Sequence, residues 1–167
     1  MKRLAIALAS TLVAGAGLAV SAEMSGHDQH HGHMAAADAP VAAVAETRQL
    51  VAYPEPLRIQ TLANMRDHLS TLGQIEAALA AGAFDKASDL AERRLGMSSL
   101  EMHGASEVAG YMPKGMQDAG TAMHHAASQF AIVAKDASAT GDLRPALASL
   151  ARLNQTCVAC HAAYRLQ

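Results

Sequence analysis

The sequence predicts an all-α fold, and three observations support that prediction. Ala and Leu dominate the composition, whereas β-branched residues are sparse beyond the N-terminal segment, which favours helices over strands. Apolar residues recur at steps of three and four through most of the chain. The candidate helices are joined by short links, and a chain of 167 residues is long enough for one compact domain, so we expect one antiparallel four-helix bundle.

The first 22 residues have the features of a secretory signal peptide. Lys2 and Arg3 form a positive region, residues 4–20 are apolar, and small residues up to Ala22 precede a cleavage site. A retained membrane anchor is the alternative, but the segment is short for that role and rich in Ala and Gly. We therefore expect cleavage after Ala22, export to the periplasm and no stable membrane span.

Residues 23–52 are predicted to be a flexible arm, because they show no sustained apolar period that could offset the entropy of ordering them. Four histidines crowd into this arm: His27, His30, His31 and His33. Neutral imidazoles at this density can chelate Cu, Zn or Ni ions without a folded site. A solvated leader is the alternative. Two prolines within residues 53–56 favour an extended backbone just before the first helix. The folded domain is expected over residues 53–167.

Apolar spacing marks the first two helices of that domain. The first is expected over residues 57–82 and the second over residues 84–95. Gly96 interrupts the pattern, after which Ser98–Glu101 has the spacing of a capping box. Residues 104–115 carry three glycines and a proline, so they are predicted to form a loop.

The last two helices are expected over residues 116–137 and from Leu143 onward. Gly141 ends the connection between them, and Asp142 is the candidate N-cap of the fourth helix. Pro145 is tolerated there because the first turn of a helix needs no amide donor.

The composition excludes some classes of function. A formal charge of −2 provides no basic excess for nucleic acid. The sequence shows no nucleotide-binding glycine loop, no Ser/His/Asp arrangement and no paired catalytic carboxylates, so we do not expect an enzyme. With 3 Tyr, 2 Phe and no Trp, the chain has few large rings, and we expect another apolar body to help fill the core.

Both cysteines lie in the run Cys157-Val158-Ala159-Cys160-His161 on the predicted last helix. Two thiols three residues apart and followed at once by His are the attachment signature of c-type haem. Each thiol adds to one vinyl group, and the imidazole reaches the iron as an axial ligand. A redox pair would need a βαβ context, and a zinc site would need further paired ligands. We therefore expect one covalent haem, with His161 as the proximal ligand.

With this motif near its C-terminal end, the segment of residues 140–165 resembles the last helix of the cytochrome c prime family. The resemblance implies a four-helix bundle enclosing one haem, periplasmic and often dimeric. It also implies that Arg165, four residues after His161, lies beside the proximal face and holds positive charge near this ligand or a propionate. A solvated Arg that complements the helix dipole is the alternative.

The resemblance leaves two candidates on the far side of the iron. Members with a Met from the first helix are six-coordinate and favour electron transfer, whereas five-coordinate members admit nitric oxide or carbon monoxide. Counting four residues from Arg58 gives Leu62 and an open site, whereas counting back from Phe84 gives Met65 as a ligand. Both lie on the predicted buried stripe. The reserve candidates are on the third helix: Met116, Met123, His124 and His125.

Three functions follow from these alternatives. Met65 as a ligand predicts one-electron transfer with a periplasmic redox partner, and an open site beside Leu62 predicts a haem protein that binds nitric oxide or another diatomic gas. The third is copper handling by the histidine-rich arm, with haem as redox partner. A soft Cu(I) site could then form from Met97, Met102, His103, Met112 and Met116, although Met at helix ends is more commonly packing.

Overall fold

The structure is a computed structural model, and it describes residues 45–167. The predicted signal peptide and most of the predicted arm, with its four histidines, lie outside the described residues. Residues 45–167 are mostly helical, which confirms the predicted all-α class. Among these residues, no helix has both the length and the apolar character needed to cross a bilayer.

The described chain contains five α-helices, one 3-10 helix and two short strands. The helices are α1 (Glu55–Ala80), α2 (Phe84–Arg94), α3 (Ala105–Ala109), α4 (Lys114–Thr140) and α5 (Leu143–Ala163). A 3-10 helix, Met97–Ser99, lies between α2 and α3. The strands β1 (Gln49–Val51) and β2 (Tyr164–Leu166) pair in parallel, with Gln49 opposite Tyr164.

Local sequence signals explain how α4 ends and α5 begins. Gly141 has φ +74°, a left-handed conformation that costs glycine little, and its amide donates to the carbonyl of Ala137 at 2.8 Å. The Asp142 carboxylate accepts a hydrogen bond from the amide of Arg144 at 3.1 Å. The predicted N-cap of the fourth helix is therefore confirmed.

The structure differs from the predictions in the connections. Residues 104–115, predicted to be a loop, contain α3, which Gly104 opens in a left-handed conformation. The expected capping box does not form, because the Ser98 hydroxyl donates to the carbonyl of Glu92 and Glu101 is exposed. The folded unit also starts before residue 53, since β1 lies in the segment predicted to be part of the arm.

The main core lies where α4 packs between α5 and α2, with α1 on the other side of α2. Its largest fully buried apolar side chains are Ile75, Leu95, Phe130 and Leu153. A second cluster forms where β1 and β2 meet α3, with Val51, Tyr53 and Val108 buried together. A cavity lies between these two clusters and is lined by residues of both.

Candidate cofactor-binding cavity

A cavity of about 910 Å³ lies between α1, α3, the N-terminal half of α4 and the end of α5. Its volume is near the upper end of the range usual for pockets that bind small molecules and cofactors. The predicted site residues on its wall are Leu62, Met65, Cys160, His161 and Arg165. The wall also contains a group that was not predicted as a unit: His68, His103 and His124.

The Cys-x-x-Cys-His motif faces the gap between α5 and α1. Cys160 and His161 line the cavity, whereas Cys157 lines a second groove of about 330 Å³ together with Leu69 and Leu72 of α1. The thiols are free and stand three residues apart on one helix, so they share a face. Burial raises the pKa of both, which keeps them protonated at neutral pH.

The two predicted distal candidates both lie on the α1 side of the cavity. Leu62 and Met65 are half-buried and stand about one helical turn apart. Both predicted registers therefore bring a side chain of α1 to the cavity. The other methionines on the wall are Met112, Met116 and Met123.

Arg165 is placed differently from the prediction. Helix α5 ends at Ala163, so Arg165 lies on β2 and not on the helical face of His161. It still lines the cavity, as does Arg48. The Nε atom of Arg165 is 3.7 Å from Oε2 of Glu46, which makes an ion pair but not a hydrogen bond.

Glu46 completes this charged rim of the cavity. Hydrogen bonds from Arg48, with a smaller effect of Arg165, lower the pKa of Glu46 to about 2, so it is ionised at neutral pH. Two guanidinium groups and one carboxylate leave this part of the rim with a net positive charge. A ligand that carries carboxylates would be attracted to it.

The three histidines on the wall lie close together and are all buried. The ring centroid of His103 is 4.6 Å from that of His68 and 6.0 Å from that of His124. Burial, followed by the charges of His103 and His124, lowers the pKa of His68 to about 4. Burial and then His124 also lower the pKa of His103. At neutral pH His68 and His103 are therefore uncharged imidazoles.

Each of these histidines is positioned by a different element. His68 lies on the buried face of α1, where Thr61, Met65 and Leu72 also recur at steps of three and four. His103 is held by its backbone, since Nδ2 of Asn64 donates to its carbonyl at 2.9 Å. Nδ1 of His124, on α4, lies 2.7 Å from the carbonyl of Leu95.

The sequence carried a signal for some of these positions. The apolar period of α1 includes His68, although no motif marks it as a site residue. Of the two adjacent histidines on α4, His124 is buried and His125 is exposed, so only His124 remains a candidate ligand. His103 depends on a contact with α1 that no local pattern predicts.

The structure only partly assembles the methionine-rich set proposed for Cu(I). His103, Met112 and Met116 line the cavity, but Met102 is 55% exposed and Met97 is not on the cavity wall. The five residues therefore do not form one site as predicted.

The arrangement can hold a flat, largely apolar group between α1 and α5. Helix α5 offers Cys160 and His161 to the cavity and Cys157 to the neighbouring groove, α1 offers Leu62 and Met65 to the cavity, and the rim offers guanidinium groups.

In comparisons with protein-family models, curated proteins and solved structures, nothing matches this chain at a significant level.

Proposed function

We propose that this protein is an exported monohaem c-type cytochrome, an antiparallel four-helix bundle that transfers single electrons with a periplasmic partner. The observation that carries the proposal is that Cys160 and His161 of α5 line a cavity of about 910 Å³ that Met65 of α1 also lines. Bound haem supplies the chemistry, a one-electron change between ferric and ferrous iron.

The residues of the chain fit this group. Cys157 and Cys160 would attach it through thioethers, and His161 would be its proximal ligand. Arg165 and Arg48 provide positive charge at the rim for its propionates. Apolar side chains beside the groove of Cys157 are exposed, with Leu69 at 72% and Val158 at 68%, and an apolar ring would cover part of this surface.

Covalent attachment is the first test. Acid-acetone treatment of the purified protein should leave the colour with the polypeptide, because thioether bonds survive unfolding whereas iron coordination does not. Replacing both Cys157 and Cys160 with Ala should release the colour into the solvent. The Met102→Ala variant, altered at an exposed position, is the matched control and should keep it. Colourless wild-type protein would contradict the proposal.

The sixth ligand decides between electron transfer and a second function. We expect Met65 to ligate the iron, which should give a low-spin ferric spectrum that Met65→Ala converts to a high-spin one responsive to carbon monoxide. Met102→Ala should leave the spectrum unchanged.

Binding of nitric oxide or another diatomic gas is the second candidate, because Leu62 offers an apolar side chain to the same cavity. Wild-type protein that is already high-spin and shifts with carbon monoxide would favour this function over electron transfer.

A further inference from the structure

We propose that His68, His103 and His124 form a site for one divalent transition-metal ion on the cavity wall, separate from the haem-attachment motif. The three side chains come from α1, from the segment between the 3-10 helix and α3, and from α4. A bound ion would therefore link three elements around the cavity. Neutral imidazole is a good ligand for Zn(II), Co(II), Ni(II) and Cu(II).

The spacing of the first two rings suits a shared ion. Nε2 of His68 lies 3.4 Å from Nδ1 of His103. Two nitrogens that each bind a tetrahedral ion at 2.0–2.1 Å stand about 3.3 Å apart. The observed separation is therefore the one that two ligands of a single ion need, and in the absence of an ion the same two atoms make a long hydrogen bond.

The hydrogen bond of His124 leaves the right atom for binding. With the Leu95 carbonyl as acceptor, Nδ1 carries the proton and Nε2 keeps its lone pair. Histidines that bind metals commonly donate their other ring nitrogen to a carbonyl in this way, which fixes the tautomer and the ring orientation.

The ring of His103 can bind one ion through only one nitrogen. Its Nδ1 faces Nε2 of His68 at 3.4 Å, so Nδ1 would be the ligand and Nε2 would carry the ring proton. That Nε2 is buried and has no hydrogen-bond partner among the described residues, so it is not itself a ligand of the proposed ion. The ion would bind Nε2 of His68, Nδ1 of His103 and Nε2 of His124.

The third ring must move for the site to close. Among residues 45–167, no three His, Cys, Asp or Glu side chains already form a group able to hold a metal. The centroid of His124 is 6.1 Å from that of His68 and 6.0 Å from that of His103. Imidazoles on one tetrahedral ion have centroids about 5 Å apart. A shift of about 1 Å, within the reach of side-chain rotation, brings His124 to that separation.

Three protein ligands leave one coordination position open to the cavity, the arrangement typical of reactive metal sites. His161 lines the same cavity as these three histidines. If haem binds as proposed, the same cavity would hold two metals, the iron and the ion bound by these histidines. The metal site itself does not depend on haem.

The test measures binding of Zn(II) and Co(II) to the full mature chain in which His27, His30, His31 and His33 are all replaced by Ala. That background removes the arm as a competing chelator. We expect one equivalent of Zn(II), and Co(II) bands in the visible that report a four-coordinate site. His68→Ala, His103→Ala and His124→Ala should each weaken Zn(II) binding at least about tenfold.

His125→Ala is the matched control, since His125 neighbours His124 but is exposed. His125→Ala should bind Zn(II) as tightly as the chain that lacks only the four arm histidines. If an Ala variant fails to fold, Gln replaces the histidine at that position instead.

Equal binding in all variants, or an equal loss in His125→Ala, would overturn the metal site. A histidine variant that changes only the haem spectrum would also overturn it, because that histidine would then be an iron ligand. Colourless protein that still binds Zn(II) would refute the haem proposal alone.

Discussion

The buried imidazole of His68 couples folding to protonation. His68 is 8% exposed, and its pKa is lowered to about 4 by burial and by His103 and His124; His161 adds to this and Asp67 acts in the opposite direction. An unfolded histidine titrates near 6.5. Between these values the unfolded chain takes up a proton that the folded protein does not, so stability falls as the pH drops.

We expect the metal-free protein to lose about 2 kcal/mol of stability between pH 7 and pH 5 through His68 alone. Urea unfolding after treatment with a chelator measures this loss. His68→Leu should reduce the pH dependence, whereas His125→Leu, at an exposed position, should retain it. An identical pH dependence in wild type and His68→Leu would contradict the expected burial of an uncharged ring.

Single residues also show which parts of the site were predictable. The Cys-x-x-Cys-His motif is contiguous, so Cys160 and His161 could be named as candidate site residues before the fold was known. Leu62 and Met65 were chosen from the register that the family resemblance implies, both lie on the predicted apolar stripe, and both line the cavity. The prediction that Arg165 lies on the same helix as His161 was wrong, because nothing in the sequence marks the end of α5 at Ala163. His103 was named only as part of the methionine-rich copper set, and its position beside His68 could not be predicted because it depends on a contact with Asn64 of α1.

Helix α4 packs through small side chains. Ala127, Ala131, Ala134 and Ala137 are all buried, and they lie on the side of α4 that meets α2 and α5. Side chains of this size allow neighbouring helices to approach closely, and interiors packed in this way have little space for extra atoms.

Replacing one of these buried alanines with a larger residue should destabilise the protein. We expect Ala134→Leu to cost roughly 1–3 kcal/mol, because the added atoms have no room at a position that is 0% exposed. Ala139→Leu, on the exposed side of the same helix, is the control and should change stability little. Thermal unfolding of both variants checks the difference, and equal melting temperatures would be inconsistent with tight packing at Ala134.

The elements themselves were predictable in proportion to their length. The long helices α1, α4 and α5 repeat the apolar period over several turns, and their predicted positions agree with the structure to within a few residues. Helix α3 has five residues in a stretch rich in glycine, too short for a period to appear. The strands have three residues each and pair across the length of the described chain, so local propensity cannot reveal them.

At the scale of the whole molecule, β1 belongs to the folded unit. Val51 is 3% exposed and packs in the second cluster with Val108. We expect a chain that starts at Tyr53 to lose about 2 kcal/mol relative to one that starts at Ala45, because it lacks the burial of Val51 and the strand pairing. Thermal unfolding compares the two chains. Equal stability would show that β1 contributes nothing to the fold.

The histidine-rich arm is predicted to bind metal independently of the folded unit. Its four histidines titrate near 6.5 when unperturbed, so binding of Cu(II) should weaken steeply as the pH falls through about 6. Calorimetry should show additional Cu(II) sites in the mature chain compared with a chain that starts at Ala45. If the two chains bind Cu(II) identically, the arm is a passive leader and a copper function must rest on the folded unit.

The parallel pairing of β1 with β2 also constrains the order in which the molecule assembles. Gln49 meets Tyr164 far along the chain, and only three residue pairs join the strands. Three residue pairs cannot offset the entropy lost in closing a loop of this length. The strands must therefore pair after the helices have packed. Arg165 and Leu166, which complete the cavity wall, are therefore added late. The part of the wall that lies next to Cys160 along the chain is thus completed last, and in the function we propose, attachment of haem to Cys157 and Cys160 would precede that step.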